Sequence, residues 1–267
     1  MNLIPYGRQY IDKDDIISVS KALRREKITT GAQVEIFEKK INSYLKCKFS
    51  STCNSGTSAI YLSLLAINLK RNDIIIMPAI NFISSYNLAK TLGAKIYLAD
   101  VNKRTGQMSP SNVEECIKKY NLNKIKAIIT MYNGGYPENA EKFLKFKKKY
   151  RCFIIEDACH AFGAEYILNG KKVKIGSCKH SDISTFSLHP LKTITTGEGG
   201  LITTNIKKID EKIKKFRSLG IERSSTKHWQ YDVKLLGFNF RMNDFQCALG
   251  ISQLKKVKSF LNFRTKI

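Results

Sequence analysis

The chain has 267 residues, 43% of them hydrophobic, and 46 Lys+Arg against 22 Asp+Glu give it a formal net charge of +24. That size and apolar content fit one large domain or two small ones and exclude a largely disordered chain. No apolar run reaches membrane-spanning length, and "MNLIPYGRQYIDKDD" lacks the apolar core of a signal peptide, so a soluble, cytoplasmic protein without a membrane partner is expected. The basic residues lie in short clusters such as "KALRREK", "KFKKKYR" and "NIKKIDEKIKKF", interleaved with apolar residues at helical spacing. They read as solvated helix faces rather than a nucleic-acid surface. The seven cysteines include no C-x-x-C pair and the four histidines are scattered, which points to free thiols in a reducing compartment and no metal site.

In chain order, "DKDDIISVSKALRR" and "AQVEIFEKKINSYL" predict two amphipathic helices separated by a turn at Thr30-Gly31. Short apolar, β-branched runs follow: "DIIIMP", "AKIYLAD", "IKAIITM", "CFIIED", "SDISTFSL" and "GGLITTN". Helical stretches at about 57–69, 82–92, 110–120 and 138–149 separate the earlier ones. This alternation predicts an α/β fold with a mainly parallel sheet flanked by helices. One last helix is expected from Asn243 almost to the end, with no later element to cover its apolar face.

In such sheets ligands bind at the carboxyl ends of the strands. Three segments there carry candidate chemistry. "CNSGTSAIYLSLLA" places Gly56, Thr57 and Ser58 at a turn opening a helix, where free amides and hydroxyls suit a phosphate, although an ordinary N-cap has the same look. "CFIIEDACHAFGAEY" places Asp157 at the end of a buried strand, a position that calls for a cationic partner; His160 follows three residues on. A salt bridge and a structural histidine would explain both equally well. "FSLHPLKTITTGEGG" places Lys192 among apolar residues after another strand. Apolar walls favour the neutral amine that Schiff-base chemistry requires, whereas a lysine reaching the surface needs no such role. Taken together, the three segments supply what pyridoxal 5′-phosphate needs: a phosphate cradle, an acid for the ring nitrogen and an amine for the aldehyde.

"SGTSAIYLSLLA", "IIEDACHAFGAEY", "FSLHPLKTITTGEGG" and "LGFNFRMNDFQCALGISQL" together resemble the DegT/DnrJ/EryC1/StrS family of pyridoxal-phosphate sugar aminotransferases, from about residue 5 to the end. The resemblance implies the type I, aspartate aminotransferase-like fold and a homodimer with shared active sites. It makes Lys192 the covalent cofactor lysine and proton shuttle, and Asp157 the partner of the pyridine nitrogen. Phe82 would stack on the ring and His160 flank it. Thr57, Ser58 and Ser187 would contact the phosphate, and Asn239 would reach the phosphate of the partner subunit.

The likeness is greatest to the subgroup that aminates C4 of UDP-linked 4-keto-6-deoxy-N-acetylhexosamines. It implies an amino-acid donor, glutamate, and a nucleotide-sugar acceptor in surface glycan synthesis. Residues 1–242 are expected to form the large cofactor-binding domain and 243–267 a helix leading toward a small C-terminal domain absent from this chain. "TMYNGGYPENAEKF" departs from the family's usual Gly/Pro turn. The alternatives are a family dehydratase, which usually replaces the cofactor lysine, an enzyme acting on a cyclitol or aromatic substrate, and an inactive basic binding module.

Overall fold

The computed structural model describes residues 7–224, 226–227 and 229–266. Helix α1 (Lys13–Leu23) opens on a capping box, in which Asp12 accepts from the Asp15 amide at 3.1 Å and Asp15 returns the bond at 3.2 Å. Helix α2 (Ala32–Leu45) has Gly31 at its N-cap, which offers no side chain. Asp244, distant in sequence, fills that role by accepting from the Gly31 and Gln33 amides at 2.7 and 2.9 Å.

The expected alternation follows: β1 (Phe49–Cys53), α3 (Gly56–Ala66), β2 (Ile74–Pro78), α4 (Ser84–Thr91), β3 (Lys95–Ala99), α5 (Pro110–Lys119), β4 (Ile125–Met131), α6 (Leu144–Tyr150) and β5 (Phe153–Asp157). After these come a hairpin of β6 (Glu165–Leu168) and β7 (Lys171–Lys174), then β8 (Ile183–Ser187), β9 (Gly200–Thr204) and α7 (Lys207–Arg217). A second hairpin, β10 (Ile221–Arg223) with β11 (Tyr231–Val233), precedes α8 (Asp244–Leu254) and α9 (Val257–Lys266).

One sheet holds seven strands in the order β1-β9-β8-β5-β4-β2-β3. Only β9 runs against its neighbours; the other pairings are parallel. Successive residues of a strand face opposite sides. Met77, Ile129, Ile155 and Ile183 therefore pack with Leu62 of α3, Ala89 of α4 and Ile213 of α7, while Ile76, Ile128 and Ile154 pack with Val113 of α5 and Phe146 of α6. The sheet is buried on both faces, which is why its strands read as near-continuous apolar runs.

Two expectations need correction. The helix foreseen at 138–149 is a 3₁₀ turn at Ala140–Phe143 followed by α6. The final helix is not continuous but breaks at Lys255–Lys256, where amide-to-carbonyl bonds tighten to i→i−3 spacing. There the Lys256 ammonium pairs with Asp12 at 2.8 Å and Asp15 at 2.6 Å, and the Gln253 amide donates to Asp15 at 2.7 Å, drawing the turn onto α1. The earlier helices α1 and α2 pack on α8. Phe37 of α2, with 0% exposure, lies against the backbone of Gly250. All seven cysteines are unpaired, and among the described residues no helix is long and apolar enough to cross a membrane.

Phe37 seals the α2–α8 contact, so Phe37→Ala is expected to lower unfolding stability by about 3–5 kcal/mol, read from the urea midpoint.

Candidate active site

The site starts from the one reversed strand. In the register of β9, Gly200 sits opposite Cys53 of β1 on one side and Ser187 of β8 on the other. A side chain at 200 would collide with the Ser55 carbonyl, so its absence lets the β1–α3 turn fold over the sheet. Gly56 then lies against Ser187: a Cβ at 56 would stand 2.8 Å from Cβ and 3.3 Å from Oγ of that serine. Ser55 caps α3 by accepting from the Ser58 amide at 3.1 Å. The amides of Gly56 and Thr57 have no acceptor within the helix, as at any helix start, and Thr57 is exposed. The Ser58 hydroxyl is held within the turn, donating to Asn54 Oδ1 at 2.6 Å. The Asn54 amide in turn donates to the Phe240 carbonyl at 2.9 Å, which brings exposed Asn239 beside this turn.

Asp157 pairs with Thr185 across β5 and β8 and shares the sheet face of Ile155, the α3 side. It is 2% exposed, and its Oδ1 accepts from the Cys159 amide at 3.2 Å. Burial raises its pKa, opposed by hydrogen bonds from Cys159 and by the charges of His160 and Lys192. Burial also lowers the pKa of His160, helped by Lys192 and Arg264 and opposed by Asp157. Lys192 is half-buried on a loop closed by the Leu188 amide donating to Gly199 O at 2.8 Å and by Thr196 N and Thr195 Oγ1 both donating to Leu188 O at 3.0 Å. Its surroundings are more charged than the apolar segment suggested, because Asp157, His160 and Arg264 all act there. The Arg264 guanidinium, on α9, donates to the Lys192 carbonyl at 3.1 Å.

Glu156 faces the other side of the sheet. It accepts from Tyr132 Oη at 2.7 Å, from Ser181 Oγ at 2.9 Å and from Ser184 Oγ, and its Oε1 lies 2.8 Å from His180 Nε2. Tyr166 Oη meets His180 Nδ1 at 2.6 Å. Burial alone would raise the Glu156 pKa, but the charge and hydrogen bond of His180, with the Ser184 and Tyr132 bonds, bring it from 4.5 down to about 2. This network pins the end of β5 and the start of the "YNGGYP" segment, whose Tyr132 amide reaches the Asp157 carbonyl at 3.4 Å.

The structure thus gathers Gly56 with Ser187, and Asp157 with His160 and Lys192, at the carboxyl end of one sheet. Phe82, expected against a cofactor ring, is 66% exposed. Beside it, Asn81 has both side-chain polar atoms buried without a partner. These features fit pyridoxal 5′-phosphate: a cradle that a Cβ at 56 would fill, a helix start for phosphate, and a buried carboxylate that a protonated ring nitrogen would satisfy. Sequence reading passed over Arg264, Cys159, Asn81 and the His180–Glu156 network. Only Glu156 carried a signal, as the neighbour of Asp157 in a buried strand.

The sheet order, with a carboxylate and a lysine at its carboxyl end, defines a fold type I enzyme of the pyridoxal-phosphate class. The chain belongs to the DegT/DnrJ/EryC1/StrS aminotransferase family, whose profile matches residues 9–267. It is 38% identical over 265 residues, 99% of this chain and 68% of the relative, to a UDP-4-amino-4,6-dideoxy-N-acetyl-beta-L-altrosamine transaminase of Campylobacter jejuni. The structure is similar to that of Helicobacter pylori PseC, an aminotransferase of pseudaminic acid biosynthesis, with 31% identity and a TM-score of 0.85 over 96% of this chain and 66% of that one. It is also similar to Spr1654 of Streptococcus pneumoniae in its PLP form, with 25% identity and a TM-score of 0.82 over 96% of this chain and 67% of that one. The chain therefore spans about two thirds of the length of these proteins.

Two outcomes follow from the two carboxylates. The folded pKa of Glu156 lies below its unfolded value, so its contribution to stability is present above about pH 4.5 and is lost as the pH falls toward about 2. Glu156→Gln should flatten the dependence of the urea midpoint on pH across that window. Asp157 has the opposite sign: its raised pKa disfavours the ionised folded protein as the pH rises through the carboxylate range. Asp157→Asn should leave the cofactor-free protein at least as stable at neutral pH, while equilibrium dialysis shows weaker pyridoxal 5′-phosphate retention.

Proposed function

We propose that the protein moves an amino group from an amino acid, L-glutamate, to the keto carbon of a nucleotide-linked 4-keto-6-deoxy sugar destined for surface glycans. The observation that carries this reading is the grouping of Asp157, His160 and Lys192 beside the α3 start. The transaminase names of the relatives support the substrate class. The proposed acceptor carries the keto group at C4 of a UDP-linked N-acetylhexosamine.

Pyridoxal 5′-phosphate, when bound, supplies the electron sink that lets an amino acid give up its Cα proton. The Asp157 carboxylate would hold a proton on the ring nitrogen, a role suited to an acid with no room for water. The Gly56 and Thr57 amides would bind the phosphate with the Thr57, Ser58 and Ser187 hydroxyls, the α3 dipole aiding them. Phe82 and His160 would flank the ring. Lys192 Nζ would hold the cofactor between turnovers, then take the proton from the donor Cα and return it on the other side of the exchange. The acceptor runs the same transfers in reverse.

The enzyme is read as a cytoplasmic homodimer. Asn239 is exposed, and the hairpin region displays Trp229, Tyr231, Val233 and Leu236, the last 90% exposed, an apolar surface suited to a second copy. Across that contact Asn239 would meet the partner's phosphate. Residues 243–267 are read as the connection toward a small C-terminal domain.

The test is Lys192→Ala in protein reconstituted with the cofactor. The visible absorbance of lysine-bound pyridoxal should disappear, and amination of a UDP-4-keto sugar by L-glutamate, followed by mass spectrometry, should fall by more than about a thousandfold. An unchanged spectrum and rate would overturn the assignment.

A further inference from the structure

Arg264 lies outside every residue set considered above for cofactor binding, yet it touches the site. Its Nη2 donates to the carbonyl of Lys192 at 3.1 Å. Its charge also acts on the imidazole of His160. The residue is exposed, and among the described residues no carboxylate forms an ion pair with it. An arginine fork has five N–H donors, so one bond to a carbonyl leaves an edge for a two-pronged grip on an anion.

The fork is carried on a well-anchored element. Leu261 and Val257 of α9 close on Gly163, and the Phe260 ring meets Tyr10 edge-on with centroids 6.0 Å apart. One helical turn from Leu261, Arg264 is thereby held over the Lys192 loop. The ionisable groups named around the Lys192 loop are Asp157, His160, Arg264 and Lys192 itself, and Asp157 is the sole acid among them. An anion belongs at that mouth.

We infer that Arg264 is the receptor for the carboxylate on the reacting carbon of the amino donor. This rests on the transamination proposed above. The donor's carboxylate is one bond from the carbon whose proton Lys192 takes, so its receptor must stand within a lysine's own length of that amine. Arg264 Nη2 lies 3.1 Å from the carbonyl oxygen of Lys192, at the root of the side chain that bears this amine. The diphosphate of a nucleotide sugar is separated from its keto carbon by the sugar ring and needs a receptor farther out.

The experiment compares the cofactor-loaded parent chain with Arg264→Gln and Arg264→Lys. Glutarate, an unreactive dicarboxylate, is titrated by calorimetry, and the first half-reaction is timed with L-glutamate and with 4-aminobutyrate, whose reacting carbon bears no carboxylate. Arg264→Gln should weaken glutarate binding and raise KM for L-glutamate by roughly 10- to 100-fold, the loss of a charge-assisted bond pair. Its 4-aminobutyrate rate should fall far less than its L-glutamate rate, and Arg264→Lys should recover part of the loss.

Unchanged glutarate binding, or a parent chain that does not bind glutarate, overturns the inference. So does an equal loss for both amines, since it marks a residue that only positions Lys192. A parent that binds glutarate through Arg264 but aminates no keto sugar sinks the proposed acceptor and leaves the arginine's role standing.

Discussion

Asp157 is the constraint around which the rest is arranged. A carboxylate at the end of a central strand, walled on both sheet faces, loses most of its hydration. The chain answers with hydrogen bonds from Cys159 and with the charge of Lys192 nearby, yet burial still raises the acid's pKa. A single protomer thus leaves that cost only partly offset, and a ring nitrogen carrying a proton is the chemistry that completes it. Glu156 shows the contrast. One residue earlier, on the opposite face, it is equally buried but has four donors, and its pKa falls to about 2. Adjacent carboxylates in one strand therefore shift in opposite directions, one satisfied by its donors, the other left with its burial only partly offset.

The sheet explains how these parts are brought together. Parallel strands deliver Asp157 and Ser187 side by side, and the one antiparallel strand, β9, returns the chain after Lys192 and separates β8 from β1. Because Gly200 of that strand has no side chain, the α3 start can lie over it and reach Ser187. The glycines after Lys192 do more than reverse the chain: one of them makes room for the turn that opens α3.

Much of this was legible in the sequence because it depends on local pattern. Runs such as "CFIIED" and "SDISTFSL" are apolar since both sheet faces are covered, and the turn after β1 declares itself through Asn54-Ser55-Gly56. Elements that depend on distant partners were not legible. The β6–β7 hairpin is short, half-exposed and lysine-rich, and its one clue is the Asn169-Gly170 turn, where both residues have positive φ. The break between α8 and α9 is set by Asp12 and Asp15, more than two hundred positions away. Arg264 was invisible for the same reason: on an unbroken helix it would be one more solvated cation. Lys192 stood out in the sequence by its apolar setting, and the structure adds the nearby charge of Asp157 and the Arg264 bond to its carbonyl.

That break also makes a closed loop of the molecule. Lys256, clamped by the capping acids of α1, is the hinge pin on which α9 turns toward the site, and Arg264 is the far end of the arm. The first described helix and the last are therefore joined through Lys256, and the far end of the last rests on the Lys192 carbonyl. Two ion pairs, two turns of helix and a single hydrogen bond thus connect the chain's opening helix to the lysine loop.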